Sequence, residues 1–110
     1  MGAITMAPTN TLVVRGRDAF ANMTCVSNAN DEIAWSYDGN TVIQSPCHNN
    51  TDVFIAERES EYECGINASL ERARADQGVR SISGPYGCTD RSNDAITETS
   101  MVIVLGKLLF

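Results

Sequence analysis

Ser83-Gly84-Pro85-Tyr86-Gly87-Cys88 joins a turn signal, an aromatic ring and one of the chain's 4 cysteines in a single short stretch. Gly84-Pro85 punctuates the chain, because glycine admits backbone angles closed to other residues and proline removes an N–H. Downstream, a hairpin with Asn93-Asp94 at its tip leads into a final strand from Ile96 to Leu105. Met101-Val102-Ile103-Val104 gives that strand its β propensity, and Thr99, Met101, Ile103 and Leu105 share one of its sides.

Upstream, the same two-residue period recurs in short runs. Thr11 to Val14 reads as a first strand, closed by Gly16 and Asp18. In Ala19 to Val26, Ala21, Met23 and Cys25 fall on one face while Phe20, Asn22 and Thr24 fall on the other. Glu32 to Tyr37 aligns Ile33, Trp35 and Tyr37, and Asp38-Gly39 turns the chain into Thr41 to Gln44, which Ser45-Pro46-Cys47 ends. Asp52 to Ala56 is a further apolar run before the charged Glu57 to Glu61. Tyr62 to Leu70 alternates again, with Cys64, Ile66, Ala68 and Leu70 together. Leu70 to Ala75 has helix-forming composition and reads as a helical turn or a polar surface loop. Short strands separated by turn residues at intervals of about 8–12 positions predict an all-β sandwich or barrel.

The 110 residues suit a single domain, 1–110, with a modest core. With 14 acidic against 8 basic side chains the net charge is −6, which argues against a nucleic-acid partner, since phosphate binding needs clustered Lys and Arg. No stretch approaches the ~20 apolar residues that span a bilayer, so no direct membrane insertion is expected. Met1 to Ala7 lacks the basic and apolar regions of a signal peptide, and the chain is expected to be a piece of a longer protein.

Cys25, Cys47, Cys64 and Cys88 include no Cys-x2–4-Cys pair, and the one histidine, His48, cannot complete a tetrahedral site, so no metal is expected. Two disulfides fit better and imply an oxidising compartment; four cysteines allow three connectivities. Asn22-Met23-Thr24, Asn49-Asn50-Thr51 and Asn67-Ala68-Ser69 are N-glycosylation sequons, which point to the secretory pathway and an extracellular location.

Taken together, these residues resemble the immunoglobulin superfamily. Cys25 followed by Trp35 after nine intervening residues is similar to the first cysteine and the tryptophan of that family. Ser83 to Cys88 is similar to its Asp-Ser-Gly-x-Tyr-x-Cys signature, with Ile82 in place of the Asp. The resemblance covers Thr11 to Leu105 and implies an antiparallel β-sandwich of Greek-key topology, of variable or intermediate set. It implies a Cys25–Cys88 bridge between the sheets, with Trp35 packed on it and Tyr86 making a corner hydrogen bond. Tyr62-Glu63-Cys64 offers a competing second cysteine, but that choice leaves 46 residues beyond it, where Cys88 leaves 22. Cys47–Cys64 is then the second bridge, tying the region after the Thr41 to Gln44 strand to the start of the Tyr62 run. The last strand lacks Phe-Gly-x-Gly, which favours a receptor or adhesion module over an antibody chain.

Nothing in the sequence points to catalysis or to a cofactor. A Ser-His-Asp site would have to use His48, and there is no Gly-x-Ser-x-Gly elbow. The Glu57 to Glu63 run lacks the spaced ligands of a calcium loop and reads as a solvated strand edge. The resemblance implies binding: an extracellular recognition module of a cell-surface receptor or adhesion molecule, such as a receptor tyrosine kinase ectodomain, engaging a protein ligand or a second copy as a homodimer. The other reading is a secreted immune-type protein that binds a soluble or microbial ligand. Ser27 to Asp31, the turn at Gly39 and, above all, the polar hairpin Thr89-Asp90-Arg91-Ser92-Asn93-Asp94 are the candidate contact loops.

Overall fold

The alternation of Ala19 to Val26 becomes strand β3, Phe20–Ser27, in which Ala21, Met23 and Cys25 are buried and Phe20 and Asn22 are exposed. A computed structural model describes residues 4–28, 32–49, 51–75, 81–91 and 96–106. The other strands are β1 Ile4–Met6, β2 Thr11–Val14, β4 Ile33–Tyr37, β5 Asn40–Gln44, β6 His48–Asn49, β7 Phe54–Ser60, β8 Glu63–Ser69, β9 Gly84–Asp90 and β10 Ile96–Leu105. A short helix, α1 Leu70–Ala75, follows β8.

Two sheets stack face to face, a four-stranded one ordered β1-β3-β8-β7 and a six-stranded one ordered β2-β10-β9-β4-β5-β6. Among the described residues every pairing is antiparallel except β2 with β10, which runs parallel. The N-terminal run crosses between the sheets. The sequence places the first strand at Thr11, whereas β1 precedes it and pairs with β3 in the other sheet. β1 escapes a pattern reading because it has three residues, two of them exposed. Pro8, buried between β1 and β2, has no N–H for a ladder, so the run breaks there and resumes on β10.

Asp38 (φ 50°) and Gly39 (φ 83°) both adopt left-handed angles, the geometry that a two-residue hairpin turn demands and that Asp-Gly supplies. β7 runs beyond its apolar start through Glu57 and Arg58 to Ser60. The charged half is tolerated because β7 is the outer edge of its sheet, where one side faces water. α1 realises the helical alternative for Leu70 to Ala75: Ser69 Oγ accepts from Arg72 N at 3.2 Å as a cap, and Leu70 and Ala73 turn inward. Between the sheets lie Val13, Met23, Ile33, Ile43, Phe54, Ile66 and Val102, packed around Trp35.

Candidate functional site

Trp35, 1% exposed on β4, sits in register with Cys88 of β9, and its indole Nε1 donates to Cys64 O of the facing sheet at 3.1 Å. Disulfides join Cys25 to Cys88 and Cys47 to Cys64, with Cα separations of 6.4 and 5.7 Å. The second bridge ties the turn after β5 to the start of β8. Tyr86 is buried and its hydroxyl donates to Ile82 O at 2.6 Å. Tyr37 adds a second clamp on the next residue, donating to Ser83 O at 2.6 Å. Gly84 between these tyrosines has φ 134°, and a Cβ there would stand 3.5 Å from the Tyr37 ring. That position therefore calls for glycine. Burial pushes the Tyr86 phenol far above its usual range and that of Tyr37 upward as well.

The candidate hairpin divides. Thr89 lies half-buried on β9 with its hydroxyl 2.8 Å from that of Thr97, and Arg91 is exposed at the strand end. Asp90, unlike its neighbours, is fully buried and accepts a hydrogen bond from Ser27 Oγ, which places its carboxylate in the interior. The inward phase of β9 carries it there, beyond Tyr86 and Cys88 on the same face. Ser92, Asn93 and Asp94 lie outside the described residues, as do residues 29–31 of the other candidate loop.

The three sequon asparagines occupy the outside of the sandwich. Asn22 is exposed on β3, Asn67 is half-buried on β8 and Asn49 is exposed on β6. Asn22 and Asn67 are register partners, and Asn22 Nδ2 donates to Asn67 Oδ1 at 2.6 Å. Their encounter was not legible in the sequence, since nothing in it gives the pairing of β3 with β8.

The outer face of the six-stranded sheet has a different chemistry. Leu12 (52% exposed), Met101 (42%), Ile103 (51%) and Leu105 (41%) stand on it together. Leu12 is the register partner of Ile103, and Met101 that of the exposed Pro85. Beyond them the same face continues through Thr99, Gly87 and Ser36, which are neighbours in register and uncharged. A Cβ at Gly87 would come within 2.7 Å of Ser36 Oγ, so glycine keeps this part of the face flat. The alternation of β10 announces a row of apolar side chains; only the two-sheet arrangement turns that row outward.

Neither a protein-family profile nor a curated protein matches the sequence. Solved structures do match in fold. The chain is similar to one in the titin M10–obscurin-like 1 Ig complex, with TM-score 0.69 and 19% identity over 98% of this chain and 97% of that one. It is similar to the Ig1 domain of mouse SynCAM 2, with TM-score 0.67 and 23% identity over 92% and 95% of the two chains. It is also similar to the N-terminal Ig1-2 module of the Drosophila receptor protein tyrosine phosphatase DLAR, with TM-score 0.71 and 16% identity over 96% of this chain and 49% of that one. The fold is immunoglobulin-like.

In this immunoglobulin-like domain the four-stranded sheet corresponds to the A, B, E and D strands, and β9, β4, β5 and β6 to F, C, C′ and C″. At one end, the β2–β3 turn and α1 frame an open cleft of about 590 Å³ lined by Arg15, Asp18, Phe20, Leu70 and Arg74. In that turn Asp18 Oδ2 accepts from Arg17 Nη2 at 2.7 Å and from Val14 N at 2.9 Å, and both bonds hold its carboxyl below the usual range. All four cysteines are bridged, which leaves no thiol nucleophile, and His48 is exposed on β6. Among the described residues no cluster of His, Cys, Asp and Glu could hold a metal ion, and no helix is long and apolar enough to cross a membrane.

Proposed function

We propose that this domain is a non-enzymatic extracellular recognition module of a cell-surface receptor or adhesion molecule, which binds a protein partner through the outer face of its six-stranded sheet. The observation that carries the reading is the row Leu12, Met101, Ile103 and Leu105, exposed side by side next to the uncharged Thr99, Gly87 and Ser36, on a chain with net charge −6. Exposed apolar patches of this kind mark interaction surfaces. An apolar row that carries no charge of its own also lets a second acidic copy approach there with little like-charge repulsion, which is why self-association belongs to the proposal. The two disulfides and three sequons support an oxidising, secretory location. Similarity in fold to SynCAM 2 and to a receptor protein tyrosine phosphatase supports the receptor and adhesion setting.

Sedimentation of the glycosylated domain across concentration, for wild type and Ile103→Asp, tests this. The expected result is association in the wild type, alone or with a cell-surface partner, that the aspartate abolishes while the thermal transition stays cooperative. Association that survives Ile103→Asp and Leu12→Asp together would overturn the assignment of the face.

A further inference from the structure

The sequons at Asn22 and Asn67 lie 45 residues apart in the chain, yet β3 and β8 bring the two asparagines directly opposite each other. Their amides form one network with a single carboxylate. Asn22 Nδ2 donates to Asn67 Oδ1 at 2.6 Å and to Glu57 Oε2 at 3.3 Å, and Asn67 Nδ2 donates to Glu57 Oε1. An Nδ2 atom carries two hydrogens, and N-glycosylation replaces one of them with C1 of a sugar. Directly opposed residues on adjacent strands have Cβ atoms only about 4.5–5.5 Å apart and side chains that leave the sheet in the same direction. Two oligosaccharides rooted there would start from nearly the same point.

The two positions are also unequal. Asn22 is exposed, and Thr24 of its sequon is half-buried. Asn67 is half-buried, and Ser69 of its sequon is buried with its hydroxyl capping α1. We propose that Asn22 and Asn67 form one composite acceptor site that carries a single N-linked oligosaccharide, on Asn22, with Asn67 and Glu57 holding the remaining N–H. The donor is a lipid-pyrophosphate-linked oligosaccharide. The Asn22 Nδ2–C1 bond forms, the C1–O bond to pyrophosphate breaks, the lipid pyrophosphate leaves and Nδ2 gives up one proton. The N–H that stays on Nδ2 still reaches Asn67 Oδ1 or Glu57, so one glycan fits the network and a second displaces it. This inference rests on the secretory location proposed above.

The chain, secreted from cultured animal cells behind a signal peptide, is analysed by intact mass and by glycopeptide mapping. The expected result is glycan on Asn22 and no secreted molecules modified at both Asn22 and Asn67. Asn22→Gln should raise occupancy at Asn67 above its wild-type level. Thr24→Ala, which removes the sequon but keeps the Asn22 amide, should do the same if Asn22→Gln fails to fold. Doubly modified molecules at the frequency set by two independent sites, or glycan on Asn67 with Asn22 bare, would overturn the proposal. If Asn49 is modified and the pair behaves independently, only the composite site fails. If none of the three asparagines is modified, the composite site and the secretory reading fail together.

Discussion

Cys25 on β3 and Cys64 on β8 stand directly opposite each other, both buried, and neither is bonded to the other. Each reaches instead across the sandwich, Cys25 to Cys88 and Cys64 to Cys47. Two bridges therefore cross the core side by side, beside the Trp35 indole that donates to Cys64 O. The arrangement closes a loop of separation 63 and one of separation 17, worth about 4 and 3 kcal/mol in the chain-entropy account. Those are large shares of the ~5–15 kcal/mol that separates a typical native domain from its unfolded state.

The opposition of Cys25 and Cys64 makes the single and double variants of the outer bridge differ. Cys47→Ala frees a thiol at Cys64 next to the Cys25–Cys88 bond, where its thiolate can attack Cys25 Sγ and expel Cys88 as the thiolate. Cys47→Ala/Cys64→Ala has no such thiol and should lose only the outer bridge, about 3 kcal/mol. Peptide mapping without reduction should find Cys25–Cys64 peptides in the single variant alone. Denaturant unfolding should rank the double variant as the more stable of the two; the reverse order would refute the exchange.

Tyr86 and Tyr37 clamp consecutive carbonyls, Ile82 O and Ser83 O, at 2.6 Å each. Tyr86→Phe leaves the Ile82 carbonyl unpaired in the core and should cost about 1–3 kcal/mol. Tyr37→Phe should cost less, because Tyr37 is half-buried and water can replace its hydroxyl. Both phenols are held above their usual range, so their contribution is complete below about pH 10 and is lost as pH rises beyond that value. Urea unfolding of the variants at neutral pH checks the ranking. Phenolate absorbance followed against unfolding in alkali checks the sign: ionisation of these two rings while the fold stays intact near pH 10 would contradict it.

Asp18 behaves in the opposite sense. Its carboxyl is held low by the side-chain hydrogen bond from Arg17 and by the backbone N–H of Val14. A depressed carboxylate contributes stability that is complete above about pH 4, the unfolded value, and fades as pH falls through the folded one. Asp18→Asn should therefore melt below the wild type at neutral pH and approach it in strong acid. A difference between the two proteins that persists unchanged to pH 2 would assign the effect to the turn geometry instead of the charge.

Much of the sandwich was readable from residue order. The two-residue period located most of the strands, and Asp38-Gly39 named its own turn, because a hairpin that needs positive φ at both central residues accepts few sequences. The cysteine pairing came from resemblance; chain order alone leaves all three connectivities open. β1 was hidden by its three residues, whereas the charged end of β7 lies at a sheet edge, in keeping with a composition that reads as a solvated strand edge. The hairpin at Thr89 to Asp94 looked uniformly polar, yet Asp90 continues the inward phase of Tyr86 and Cys88 and is sealed under Ser27. Composition could not separate it from Arg91 beside it.

Chain order by itself determined the class of fold, since alternation, turn residues and the Cys25, Trp35, Tyr86 and Cys88 spacing are properties of the linear sequence. Tertiary structure alone decided which surfaces face outward and which distant residues meet. A strand has two faces of equal standing until a second sheet covers one, and that covering left Leu12, Met101, Ile103 and Leu105 in the open. Register is likewise set between strands and not within them, so the meeting of Asn22 with Asn67, and of Cys25 with Cys64, exists only once β3 and β8 have paired.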